Sequence, residues 1–131
     1  SMTKIMLCGM IKGDIQDVIR LNRSWSNPAE ISVTGAELAN YRPDEKAYYI
    51  SEVEEIVNVE LNSGPDSPIV NPAFVIKNWG NSQIEITVNG IKKEISKNLR
   101  VGYKNTLESK DIIIWMRNNS DDNLKIIFKK I

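Results

Sequence analysis

Few side chains in this 131-residue chain are of a kind that performs chemistry. There is no histidine and a single cysteine, Cys8, which removes disulfides, most zinc sites and every histidine-based catalytic arrangement. Cys8 has no base to hold it as a thiolate and reads as a small core residue. Ser24, Ser26 and Ser120 also lack a neighbouring base, and Gly9 and Gly13 do not complete a phosphate-cradling loop. Carboxylates fall into two groups, Glu52, Glu54 and Glu55, and Asp121 with Asp122. Paired carboxylates are what glycoside hydrolysis requires, yet at strand edges and in turns such groups are ordinarily solvated surface. A structural calcium would draw its oxygens from Asp121, Asp122 and Asn123, or from the loop around Asp66. Neither stretch has the pattern of a dedicated loop, so no catalytic residue, metal or cofactor is expected.

The aromatic residues say more. Trp25, Trp79 and Trp115, with Tyr41, Tyr48, Tyr49 and Tyr103, offer flat faces on which the C–H side of a sugar ring could stack. Trp115 lies inside an isoleucine run and reads as core. Trp79 precedes Gly80 at a strand end, and Trp25 follows a short helix, so each either plugs an edge of the fold or stands exposed. Burial is the commoner fate of large aromatics. Trp25, Trp79 and Tyr41 are the candidate carbohydrate-binding residues.

The elements that must position them are strands. Ile84, Ile86 and Val88 alternate with Glu85 and Thr87, Asn89-Gly90 intervenes, and Ile91 and Ile95 alternate with Lys92 and Glu94. Asn-Gly between alternating runs predicts a two-residue type I′ hairpin, because both residues tolerate the positive φ it demands. Val88 then faces Ile91 and Ile84 faces Ile95, leaving one apolar side to be covered. Earlier in the chain, Lys4 to Ile11 is apolar, either a strand or a linker entering from a preceding domain. Ile15, Val18 and Ile19 follow Asp14, a candidate N-cap, at helical spacing and predict a short helix to about Asn22.

An extended stretch from Glu30 to Thr34 ends at Gly35, and residues 36–46 read as a loop whose Pro43-Asp44 suits a type I turn. Ala47 to Ile50 and Ile56 to Leu61 read as two strands, with a long crossing from Asn62 to Pro72. Leu99 to Tyr103 gives a further strand. Lys110 to Arg117, an apolar run, predicts a strand buried on both faces. Leu124 to Ile131 alternates and is expected to pair with it as a second hairpin across the polar turn 118–123. Eight or nine short strands with one minor helix predict an all-β, antiparallel, Ig-like β-sandwich. It is read as one domain over residues 1–131, with 1–13 as a linker or junction segment.

Seventeen basic and seventeen acidic residues cancel, so no global field draws the chain to nucleic acid or an anionic membrane. The apolar runs stop short of the ~18–20 residues that a membrane span needs. Ser1-Met2 reads as a cloning remnant, so the chain is expected to be a piece of something longer.

Asn22–Pro28, Tyr41–Tyr48, Ser67–Gly80, Val88–Ile91, Arg100–Gly102 and Ile112–Trp115 together resemble the β-sandwich domain found at the end of large secreted bacterial polysaccharide-degrading enzymes. The resemblance spans most of the chain and rests on scaffold elements. It implies a non-catalytic accessory domain that packs against a catalytic domain of the same parent chain and stabilises or orients it. It also implies a secreted, periplasmic or cell-surface location, and a last strand ending near Ile131 agrees with a C-terminal module. An autonomous carbohydrate-binding module, with polysaccharide as its partner, is the alternative. A structural or adhesive cell-surface sandwich is third.

Overall fold

A computed structural model describes residues 15–131. One helix, α1 (Ile15–Ser26), is followed by ten strands: β1 (Glu30–Arg42), β2 (Ala47–Asn62), β3 (Ile69–Val70), β4 (Ala73–Ile76), β5 (Ile84–Val88), β6 (Ile91–Lys93), β7 (Leu99–Asn105), β8 (Lys110–Met116), β9 (Asn119–Ser120) and β10 (Leu124–Lys130). Eight strands form one sheet in the order β6-β5-β10-β2-β4-β8-β7, with β1 paired to β2, and β3 pairs with β9 in a small second sheet. Asp14 and the Lys4–Ile11 run lie outside the described residues, as does Cys8.

The large sheet doubles over on itself, and β2 is the strand that turns the corner. Its C-terminal part pairs with β10 from Ile56 to Leu61, while its N-terminal part pairs with β4 from Tyr48 to Ile50. Between them the inward-facing set changes parity, from Tyr48 and Ile50 to Val57, Val59 and Leu61. Alternation along a strand permits that only if residues are inserted. The ladder with β1 shows the insertion: Thr34 sits opposite Asn58 and Ala36 opposite Val53, so two steps on β1 match five on β2. Glu52 on β2 has φ 56° and Gly35 on β1 has φ 83°. A Cβ at Gly35 would stand 2.0 Å from the Ile56 carbonyl oxygen, which is why the close approach at the corner needs glycine.

The two halves of the sheet face each other across one core. Val57, Val59, Leu61, Ile86, Leu124, Ile126 and Phe128 come from the first half, and Tyr48, Ile50, Phe74, Ile76, Ile112, Ile114 and Met116 from the second. Phe74 and Phe128 meet edge to face across the gap with ring centroids 5.5 Å apart, and Tyr48 stacks on Phe74 at 5.7 Å. A mostly β fold with one short helix is therefore as the alternation predicts, and the folded-over sheet has the form of a sandwich or near-barrel.

Several local expectations change. α1 runs four residues beyond Asn22, closed by the Asn27 N–H donating to the Arg23 carbonyl before Pro28 stops it. It buries Leu21 and Ser24, while Ile15, Val18 and Ile19 are exposed. Residues 36–42 continue β1 rather than forming a loop, because pairing to β2 overrides their lack of a clean period. The Asn89-Gly90 hairpin has its expected register, Val88 opposite Ile91, with φ 48° and 82° at the turn. It lies at the sheet edge, however, and β6 ends at Lys93, so Ile84 pairs with Lys130 and not with Ile95. The expected second hairpin does not form: β8 pairs with β4 and β7, β10 with β2 and β5. A strand apolar on both faces belongs inside a sheet, whereas β10 has one wet face. The sheet also includes one parallel pair, β2 with β4.

Candidate functional site

Two of the three aromatic candidates come together and the third does not. Trp25 sits in the last turn of α1, and Tyr41 near the end of β1. Both line a cleft completed by Ala29, Lys46, Tyr48 and the β3–β4 connection around Asn71-Pro72. Tyr48 anchors it: its hydroxyl donates to the Ala29 carbonyl at 2.6 Å, and its ring meets that of Tyr41 edge-on at 5.0 Å. The Lys46 ammonium lies 5.0 Å from the centroid of the Trp25 ring and occupies one of its faces. Both aromatics are half-buried, and the free space between these walls is about 20 Å³, room for roughly one water molecule.

Burial raises the Tyr41 phenol to about 12. Tyr48 is pushed up further, first by burial and then by the neighbouring Tyr41. The Tyr41 hydroxyl is buried and finds no hydrogen-bond partner among the described residues. Tyr49, on the opposite face of β2, is also raised, chiefly by burial, with Glu45 adding to it and the Arg42 guanidinium 4.0 Å from its ring acting against it.

Trp79 is corrected from candidate platform to core. It is 1% exposed, its indole N–H donates to the Ser82 carbonyl at 3.0 Å, and the Lys130 ammonium lies 5.1 Å from its ring. The turn that carries it is pinned to β8. Asp111, 2% exposed, accepts from Lys77 Nζ at 2.6 Å and from the Asn78 N–H at 3.0 Å, while the Gly80 N–H donates to the Lys110 carbonyl. With Asn78 and Gly80 both at positive φ, the chain turns inward and the indole plugs the end of the core.

The carboxylate groups stay apart in space. Glu52, Glu54 and Glu55 stand exposed on the corner of β2. Asp121 pairs with Arg20 at 3.0 Å and so ties α1 to the β9 turn, and the Asp122 N–H donates to Ser120 Oγ. Among the described residues no three acidic, histidine or cysteine side chains gather as a metal set, and no helix is long and apolar enough to cross a membrane.

A larger hollow, of about 430 Å³, lies on the outer face of the first half of the sheet. Its walls are Ser32, Thr34, Asn58, Glu60 and Lys125, with Asn89-Gly90 closing one end. Sequence alternation marks these as outward positions. A scan against protein-family models found no match, and searches of curated proteins and of solved structures found none either.

Proposed function

We propose that the chain is an Ig-like, non-catalytic accessory domain of a secreted bacterial polysaccharide-degrading enzyme, and that it docks against the catalytic domain of the same parent chain through α1. The supporting observation is the outer stripe of that helix: Ile15, Val18 and Ile19 are 72, 37 and 39% exposed. An amphipathic helix normally turns such an i, i+3, i+4 stripe inward. Here the helix is already held by Leu21, Ser24 and the Arg20–Asp121 pair, which leaves the stripe outward as a surface for a neighbour. Work of this kind needs no reacting group; it needs a stiff body and one adhesive face.

A second reading, a carbohydrate-binding module, draws on Trp25 and Tyr41 sharing one cleft and on the mixed hydroxyl, amide and charged lining of the larger hollow. One screen separates the two. The isolated domain is run through affinity gels and glycan arrays of plant, algal and host polysaccharides, and its melting midpoint is measured with and without the catalytic neighbour. The accessory reading expects no glycan retention and a rise in midpoint that Val18→Asp abolishes. Saturable retention, lost in Trp25→Ala or Tyr41→Ala, would replace it with the binding-module reading.

A further inference from the structure

Both halves of the sheet run from an acidic edge to a basic one. β1 closes one side of each half, while β6 closes the other side of the first half and β7 that of the second. The β1–β2 hairpin, residues 30–62, holds eight acidic and two basic residues, whereas residues 91–105, which span β6 and β7, hold five basic and one acidic. The neutrality of the whole chain therefore hides two separated charges. In the second half they lie four strand spacings apart, ~19 Å, farther than the Debye length at physiological salt.

Each edge also carries unpaired backbone. The Arg117 N–H donates to the Asn98 carbonyl and the Thr106 N–H to the Ser109 carbonyl, both at 2.8 Å, so the even-numbered residues of β7 turn their backbone groups to β8. Leu99 turns the other way and exchanges both its bonds with Ser96. That leaves Val101, Tyr103 and Asn105 facing outward, with no strand beside them among the described residues. On β1 the same alternation is set by Ile50, whose carbonyl accepts from the Lys77 N–H on the β4 side. Tyr49 and Ser51 thus bond Asn40 and Leu38, and Glu37, Ala39 and Tyr41 face outward. Side chains along both edges stand in solvent: Tyr103 is 43% and Leu38 60% exposed, and Glu37, Lys104 and Asn105 are exposed with them.

We propose that copies of this chain add edge to edge, β7 of one beside the Ala36–Arg42 part of β1 of the next. Charge selects this pair. Two β1 edges would bring acid to acid, and two β7 edges would set Arg100 and Lys104 against themselves, the ordinary way in which cations on an edge strand block pairing. Unlike edges attract. The directions agree as well: β7 runs antiparallel to β1 within one molecule, so a copy displaced along the sheet lays its β1 antiparallel to β7, seven residues against seven. Because the two edges are different surfaces, the contact is head-to-tail and continues from copy to copy. A strand pair ~24 Å long buries less than the ~800 Å² per partner of a stable complex, so the association is weak and needs concentrated protein.

Sedimentation velocity on the full chain tests the proposal. At millimolar protein the average mass should rise about twofold or more at ~10 mM salt and return to the monomer's at ~1 M, where the Debye length has shrunk from ~30 to ~3 Å. Lys97→Glu/Lys104→Glu reverses the β7 edge, and Glu37→Lys/Glu54→Lys/Glu55→Lys reverses the β1 edge. Each variant alone should stay monomeric, and a one-to-one mixture of the two should assemble again. Hydrogen exchange identifies the strands: on assembly the Val101 and Tyr103 amides should slow about tenfold or more, while Gly102, already bonded to β8, does not change. A native chain that stays monomeric at low salt, folded variants that fail to assemble on mixing, or assembly without protection of Val101 and Tyr103 would overturn the proposal. None of these residues lies on α1, so Val18→Asp, which tests docking to a catalytic neighbour, leaves self-association unchanged and the two readings fail separately.

Discussion

The outer faces of the two halves of the sheet are built from the same strand and have opposite character. Past the corner, β2 points Asn58 and Glu60 outward beside Lys125 and Lys129 of β10, and that surface is wet. Before the corner it points Ala47 and Tyr49 outward beside Ala73, Val75, Ile113 and Trp115, and that surface is dry. The insertion at Gly35 and Glu52 lets one strand switch its alternation and serve both. A sheet with one wet face ends a domain, whereas a sheet dry on both faces lies between two layers.

Substitutions can break this contrast or sharpen it. The largest effect is expected from a charge on the dry face: Ile113→Asp should cost more than about 4 kcal/mol or prevent folding, because a buried carboxylate there has no partner. Asn58→Asp, the same carboxylate on the wet face, should stay within about 0.5 kcal/mol by urea denaturation. Equal costs would erase the distinction between the faces. Next comes the corner. Gly35→Ala should destabilise by roughly 3 kcal/mol, since strain at positive φ adds to a clash with the Ile56 carbonyl that backbone must move to relieve. Gly90→Val, at positive φ in the edge hairpin but with open space around its Cβ, should cost only about 1 kcal/mol.

Between these, Asp111→Ala should cost about 2–3 kcal/mol by leaving the Asn78 N–H without its acceptor and freeing the turn that seats Trp79. The smallest effect at neutral pH is the tyrosines'. The folded-state pKa values of Tyr41 and Tyr48 stand above the ordinary 10.0, so the fold favours the neutral phenols. Both contributions are complete below pH 10; that of Tyr41 is lost as pH rises from there through about 12, and that of Tyr48 persists to higher pH. Stability should fall across that window, and Tyr41→Phe should lessen the fall; an unchanged alkaline limb would show that the cleft does not desolvate Tyr41.

How much of this the residues announce differs between the halves. Ile84 to Val88 and Leu124 to Ile131 alternate cleanly because one side of each is wet, and their strands and the Asn89-Gly90 turn are legible directly. The β8 run is apolar at every step, so its strand nature shows but its partners do not, and pairing it with its sequence neighbour fails. The corner is silent for another reason. Ala36 to Arg42 has no period of its own and becomes strand only by pairing with β2, and the three-residue insertion is visible only once both strands are aligned. Trp25 and Tyr41 are legible as aromatics, but their meeting in one cleft depends on α1 running past Asn22.

The most direct test is whether the Trp115 face is interior. A soluble paramagnetic probe added to the full chain reports, residue by residue, how near solvent comes to each side-chain signal. Signals of Val75, Ile113 and Trp115 should be as protected as those of Phe74 and Phe128 in the core. Broadening as strong as that of Asn58 and Lys125 would mean that both outer faces are wet, and that the second half of the sheet ends the molecule as the first does.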